Sequence, residues 1–185
     1  MCEDNNMENN INDNTQEIPQ KAFSKEDYFF MAEAINEARV ARFIEEVPVG
    51  AVVVYDGKII GRGHNLTYKG KSALKHAELM AIKEASTWMD DFRLEECTMY
   101  VTMEPCSMCA GAIINSRIDR LVVGIRDHKR GACGSNTNVC GDRSQLHFVD
   151  AEFGLMEEEA LFEIQTFFRY LRQKKKNKSN KWSIL

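Results

Sequence analysis

The stretch VPVGAVVVYDGKIIGRGHN, Val47 to Asn65, sets the fold. Two runs rich in β-branched residues flank Asp56-Gly57, a dipeptide that suits a two-residue hairpin turn. Strands are expected near Gly50–Val54 and Lys58–Gly63. Upstream, Ser24 followed by Asp27 matches a capping box, so a helix is expected from about Lys25 to Phe43. Downstream, HAELMAIKEAS reads as a helix and CTMYVTME as a buried strand. PCSMCAGAIINS opens on a proline, which the first turn of a helix tolerates. DRLVVGI is a further strand, and QLHFVDAEF holds a short edge strand. EEEALFEIQTFFRYLRQKK is a long last helix, acidic at its start and basic at its end, as the helix dipole favours. The order α-β-β-α-β-α-β-(β)-α gives an α/β fold: a mixed sheet with helices on both faces.

The length of 185 residues fits one domain with tails, and an apolar share of 44% supports a core at that length. No apolar run approaches the ~20 residues that span a bilayer. Residues 1–22 are Asn- and Glu-rich, with five acids and one lysine, and read as a disordered acidic tail. They lack the basic start and apolar middle of a signal peptide, so the cytoplasm is the expected compartment. The rest of the chain is charge-balanced, with 23 acids and 23 bases, but from Arg169 onward there are seven Lys or Arg and no acid. Such an end is either a solvated terminus or an electrostatic hold on a polyanion. The domain is expected to occupy residues 23–176, with 177–185 a basic tail.

Six cysteines stand at positions 2, 97, 106, 109, 133 and 140. In a cytosolic chain such spacing points to metal binding rather than a disulfide framework. Cys106 and Cys109 are three apart, on one face of a helix and near its N-terminus, where exposed N–H groups favour thiolates. His76, at the start of a different helix, completes a set of soft donors for zinc. Three protein ligands leave one position open, as in catalytic rather than structural zinc. Glu78 lies only two residues from His76. On a regular helix those side chains diverge, so His76 is expected where the helix has not yet become regular, with Glu78 reaching back. There it could take a proton from an attacking water and pass it to a substrate nitrogen. Taken singly, each piece has an ordinary reading: a structural zinc half-site or redox pair, a packed histidine, a solvated glutamate. Together, His-x-Glu and Pro-Cys-x-x-Cys form the signature of zinc-dependent nucleobase deaminases.

The segments EVPVGAVVV, Gly61 to Asn65, HAELMAI, MYVTMEPCSMCAGAIINSRI, GIRDHKRGACGS and FFRYLRQKK go further. Over residues 23–176 the chain resembles the bacterial tRNA-specific adenosine deaminases. The resemblance implies a cytidine deaminase-like three-layer α/β/α sandwich around a mixed five-stranded sheet, a homodimer, and one Zn2+ per subunit. It implies hydrolysis of the wobble adenosine in a tRNA anticodon loop to inosine and ammonia. Residue by residue, it makes His76, Cys106 and Cys109 the zinc ligands and Glu78 the proton shuttle. It makes Asn65 a contact of the substrate nucleotide and Asp127 a neighbour of the preceding ribose, which would favour RNA over DNA. The chain departs from the family at Ser72 to Lys75, where many relatives read Asp-Pro-Thr-Ala, and at Asn115, where histidine is common. Cys133 is read as a small core residue and Cys140 as a free thiol.

The residues of the last helix add support of their own. Phe167, Phe168, Arg169, Tyr170 and Arg172 place aromatics beside cations, which can stack bases and hold phosphates. At helical spacing at least one of the two phenylalanines belongs to the core; Phe168, Arg169, Arg172 and the lysines of the following KKKNKSNK are the candidates to grip the anticodon stem-loop. Two other functions remain open. A deaminase of free nucleobases or nucleosides needs no basic tail. A non-catalytic zinc protein that binds RNA needs a fourth ligand, for which Cys97, Cys133 and Cys140 are the thiol candidates, and has no need of Glu78.

Overall fold

The computed structural model describes residues 22–181. The expected disorder of residues 1–22 falls on residues outside this range except at position 22, and residues 182–185 also lie outside it. The elements are α1 (Lys25–Phe43), β1 (Gly50–Tyr55), β2 (Lys58–His64), α2 (Ala77–Met89), β3 (Thr98–Met103), α3 (Ser107–Asn115), β4 (Arg120–Ile125), β5 (Ala151–Phe153) and α4 (Glu157–Lys181). Their order is the one read from the sequence. The helix α4 runs on to Lys181, through residues 177–181 of the expected basic tail.

The hairpin turns as its dipeptide demands. Asp56 (φ 47°) and Gly57 (φ 67°) are both left-handed, and Tyr55 pairs with Lys58 across the turn. The sheet order is β2-β1-β3-β4-β5. β1 is antiparallel to β2 and to β3, whereas β3–β4 and β4–β5 are parallel, so the five-stranded sheet is mixed.

Alternation along the central strands assigns each residue to one of two cores. Ala51, Val53, Met99, Val101, Leu121 and Val123 face α2 and α3, meeting Ala77, Ala81, Ala85, Ala110 and Ile113. Val52, Val54, Tyr100 and Val122 face the other way, against Phe30, Met31, Ala34 and Ile35 of α1. Strands buried on both faces read as continuous apolar runs, as VVV does here. The result is three layers.

Two contacts set the helices that matter for function. In β2, Gly61 and Gly63 lie beneath α2: a Cβ at Gly63 would overlap the Ala77 carbonyl, and one at Gly61 the Ala81 carbonyl. The absence of side chains there lets the first turn of α2 lie directly on the strand. On the other face, α4 is tied to α1. Buried Glu163 receives Arg39 at 2.9 Å and Arg42 at 2.8 Å, and Tyr170 and Lys174 both reach Glu45 at 2.6 Å. Among the described residues no helix is long and apolar enough to cross a membrane.

Candidate active site

The site lies at the C-terminal ends of the parallel strands β3 and β4, where open α/β sheets form their ligand crevices. His76 is the N-cap of α2 and Cys106 the N-cap of α3, both with extended backbone. Neither side chain caps its own helix, so their donor atoms are free to converge. Pro105 comes one residue before the cap of α3 rather than inside its first turn, and Cys109 is the third helical residue. His76 thus sits where the helix is not yet regular, as the His-x-Glu spacing required.

His76 Nδ1 is 3.7 Å from Cys106 Sγ and 3.4 Å from Cys109 Sγ, and the two sulfurs are 3.7 Å apart. A tetrahedral zinc with Zn–S of ~2.3 Å and Zn–N of ~2.0–2.1 Å has S···S edges of about 3.8 Å and S···N edges of about 3.6 Å. The donor triangle therefore has the size of one face of that tetrahedron, and its chemistry fits the ion. No fourth His, Cys, Asp or Glu joins the group among the described residues. Hydrogen bonds with Cys109 and His76 hold Cys106 down to about 3 against the effect of burial. Cys109 is pushed up by its bond to Cys106 and by burial. The bond to Cys106 also raises His76, again against burial. A thiolate beside an imidazole is what a zinc site needs.

A cavity of about 610 Å3 opens onto this triangle, lined by His76, Cys106 and Glu78 at its base. Glu78 is buried, and burial raises its pKa above the ordinary carboxylate range. Asn65, Asp127 and Phe168 also line the cavity. Phe167 belongs to the core instead. Arg169 and Arg172 are exposed on α4 and are not among the lining residues.

Two buried acids that sequence reasoning missed hold the walls. Glu46 accepts Asn65 Nδ2 at 3.2 Å and the Lys69 amide at 2.5 Å, while Thr67 Oγ1 donates to Asn65 Oδ1 at 2.8 Å. This fixes which way the Asn65 amide points. Glu104 accepts the amides of Asp127, Cys133 and Ser135 at 3.0–3.1 Å. Each is a carboxylate next to an apolar segment, and a buried charge must find donors; that was the available signal.

The reading of Cys140 as a free thiol is corrected. Cys133 and Cys140 form a disulfide with Cα atoms 4.8 Å apart. The chain doubles back here, with Val139 and Cys140 amides both donating to Ala132 O, which brings the two residues together. Cys97 is a buried free thiol, pushed up to about 11 chiefly by burial. It precedes β3, whereas Cys106 and Cys109 follow it; a six-residue strand spans about 20 Å. None of the three thiols proposed as a fourth ligand joins the metal-ligand group.

The fold and the donor triangle together define a zinc deaminase. The chain belongs to the family of the cytidine and deoxycytidylate deaminase zinc-binding region, whose model matches residues 24–125. Within it, the chain is 43% identical over 151 residues to the tRNA-specific adenosine deaminase of Bacillus subtilis, covering 82% of this chain and 94% of that protein. A solved structure described as a tRNA:A34 deaminase, from work on A-to-I editing at the wobble position of transfer RNA, superposes with a TM-score of 0.70 at 40% identity. That match covers 73% of this chain and 98% of that one. The guanine deaminase of Bacillus subtilis matches less: TM-score 0.52, 31% identity, 56% of this chain and 66% of that one.

Proposed function

We propose that this chain hydrolyses the wobble adenosine of a tRNA anticodon loop to inosine, releasing ammonia. The observation that carries the reading is a three-donor face of zinc dimensions opening into a cavity with a buried carboxylate beside it. His76, Cys106 and Cys109 hold the ion. When bound, zinc supplies Lewis acidity that brings the pKa of water from ~15.7 toward ~7.

Glu78 moves the protons. It accepts one from the attacking water and donates to the departing amine as the C6–N bond of adenine breaks and the C6–O bond forms. A carboxylate whose pKa is raised by burial suits both halves of that transfer. Asn65 keeps one amide hydrogen on Glu46 and takes a hydroxyl on its oxygen, which leaves its second N–H for an acceptor on the nucleotide. Asp127 accepts the preceding ribose hydroxyl, a contact that selects RNA over DNA. Phe168 stacks at the mouth, and Arg169 and Arg172 hold phosphates of the stem-loop. The enzyme acts in the cytoplasm as a homodimer with one zinc per subunit.

The test is incubation of the zinc-loaded protein with an anticodon stem-loop bearing a wobble adenosine, and in parallel with free guanine and cytosine. Inosine, read as an A-to-G change after reverse transcription, is expected only in the RNA. Ammonia from the free bases with no change in the RNA would overturn the reading.

A further inference from the structure

The cavity mouth carries a second set of groups that the mechanism does not use. Tyr68 lines the cavity yet is 78% exposed, and its ring pairs with no other aromatic among the described residues. Exposed aromatics scattered singly on a surface are ordinary. This one differs because hydrogen bonds hold its backbone in a turn that lines the same cavity as His76 and Cys106. The Lys71 amide donates to Tyr68 O and the Ser72 amide to Thr67 O, and the next amide, Lys69 N, is held by buried Glu46. From a separate segment, Lys129 and Arg130 line the same cavity with exposed side chains. Their amides are fixed by the Asp127 carboxylate at 3.0 and 3.2 Å, and that turn hangs on Glu104. Neither cation is in an ion pair among the described residues.

An aromatic and two cations that make no ion pair among the described residues, each on a hydrogen-bonded turn, meet the two demands of single-stranded RNA: a face for a base and charges for phosphates. Rigid turns also reduce the ordering cost of binding. We propose that Tyr68, Lys129 and Arg130 form an RNA-binding rim separate from the Phe168 helix. Tyr68 stacks a base next to the reacting nucleotide, and Lys129 and Arg130 hold the flanking phosphates. The inference rests on the reading of the substrate as an RNA loop. It makes Tyr68 a determinant of which neighbouring nucleotides are accepted.

The experiment is steady-state deamination and equilibrium binding of an anticodon stem-loop at several salt concentrations. Tyr68→Ala is expected to raise KM about 5- to 150-fold, the range for loss of one base–aromatic stack, with zinc content and thermal midpoint as in wild type. Tyr68→Phe should restore the wild-type KM. The Lys129→Ala, Arg130→Ala double variant should flatten the plot of log affinity against log salt by about 1.4, or ~0.7 for each single-strand phosphate contact. Tyr68→Ala should leave that slope alone. An unchanged KM in Tyr68→Ala, a fall in kcat at constant KM, or a wild-type slope in the double variant each overturns the rim. Failure of the wild-type protein to deaminate the stem-loop overturns the substrate reading instead, so the two failures are distinct.

Discussion

His76 Nδ1 lies 3.4 Å from Cys109 Sγ, although the residues are 33 positions apart and belong to different helices. The approach joins the hairpin half of the sheet to the parallel half. α2 rests on β2 through Gly61 and Gly63, while α3 leaves the end of β3. If this edge is one side of a zinc tetrahedron, either partner is essential to the metal. Cys109→Ser and His76→Ala are each expected to lose zinc, with affinity down by well over the ~10–100-fold typical of residues that only support ligands. Metal analysis after dialysis against a weak chelator measures it. Retention of stoichiometric zinc in either variant contradicts the assignment.

Glu78 is separable from the metal. Glu78→Gln keeps the shape of the buried side chain and removes its capacity to carry a proton. The expected result is full zinc occupancy with kcat lower by roughly 10²–10⁴-fold, the usual share of general acid–base catalysis. Inosine formation under single-turnover conditions reads it. A variant with near-normal turnover would show that some other group moves the proton.

The pattern of legibility follows from range. His76, Glu78, Cys106 and Cys109 were readable because their spacing and thiol chemistry are local. The hairpin was readable because Asp56-Gly57 states its own backbone. Glu46 and Glu104 were not, because each acts on a loop 19 to 31 positions away, and an acid beside an apolar run does not say which amides it meets. The Cys133–Cys140 pair depends on a reversal of the chain between them, which no periodicity announces. Of the terminal cations, Arg169 and Arg172 are placed on the helix as expected, but helical spacing alone does not point them at the cavity. Tyr68 has no sequence signal that sets it apart from other loop residues; only the fold brings its turn to the cavity that holds the metal donors.

Gly63 provides a test of how the strand positions the site. A methyl group there meets the Ala77 carbonyl and the Ala81 amide, both backbone atoms that cannot swing away. Gly63→Ala should therefore displace the first turn of α2, which carries His76 and Glu78. We expect a destabilisation of about 1–3 kcal/mol, together with weaker zinc binding. Urea unfolding and zinc titration check it. Loss of stability with unaltered zinc affinity would mean that the start of α2 is not set by this strand.

Stability should depend on pH through Asp27. Its buried carboxylate accepts from Tyr100 at 2.7 Å, from Arg120 at 2.5 Å and from the Ser24 amide at 2.8 Å. Burial opposes ionisation, but the bonds from Arg120, Tyr100 and Ser24 prevail and hold the group far below the usual carboxylate range. The folded pKa is thus below the unfolded one. The stabilisation is full above the unfolded value of ~4 and is lost as the pH falls toward the folded value. Asp27→Asn should cost about 2–4 kcal/mol at neutral pH and give a flatter acid limb. Urea midpoints measured from pH 7 to pH 2 test both; an equally steep limb in the variant would assign the acid sensitivity elsewhere.

X-ray absorption at the zinc edge of the purified protein tests the central claim most directly. Two sulfurs at ~2.3 Å and two lighter donors at ~2.0–2.1 Å are expected, with the sulfur count falling to one in Cys109→Ser if any metal is retained. A shell containing three or four sulfurs, or two histidine nitrogens, would mean that the protein closes the site itself and would contradict a catalytic centre.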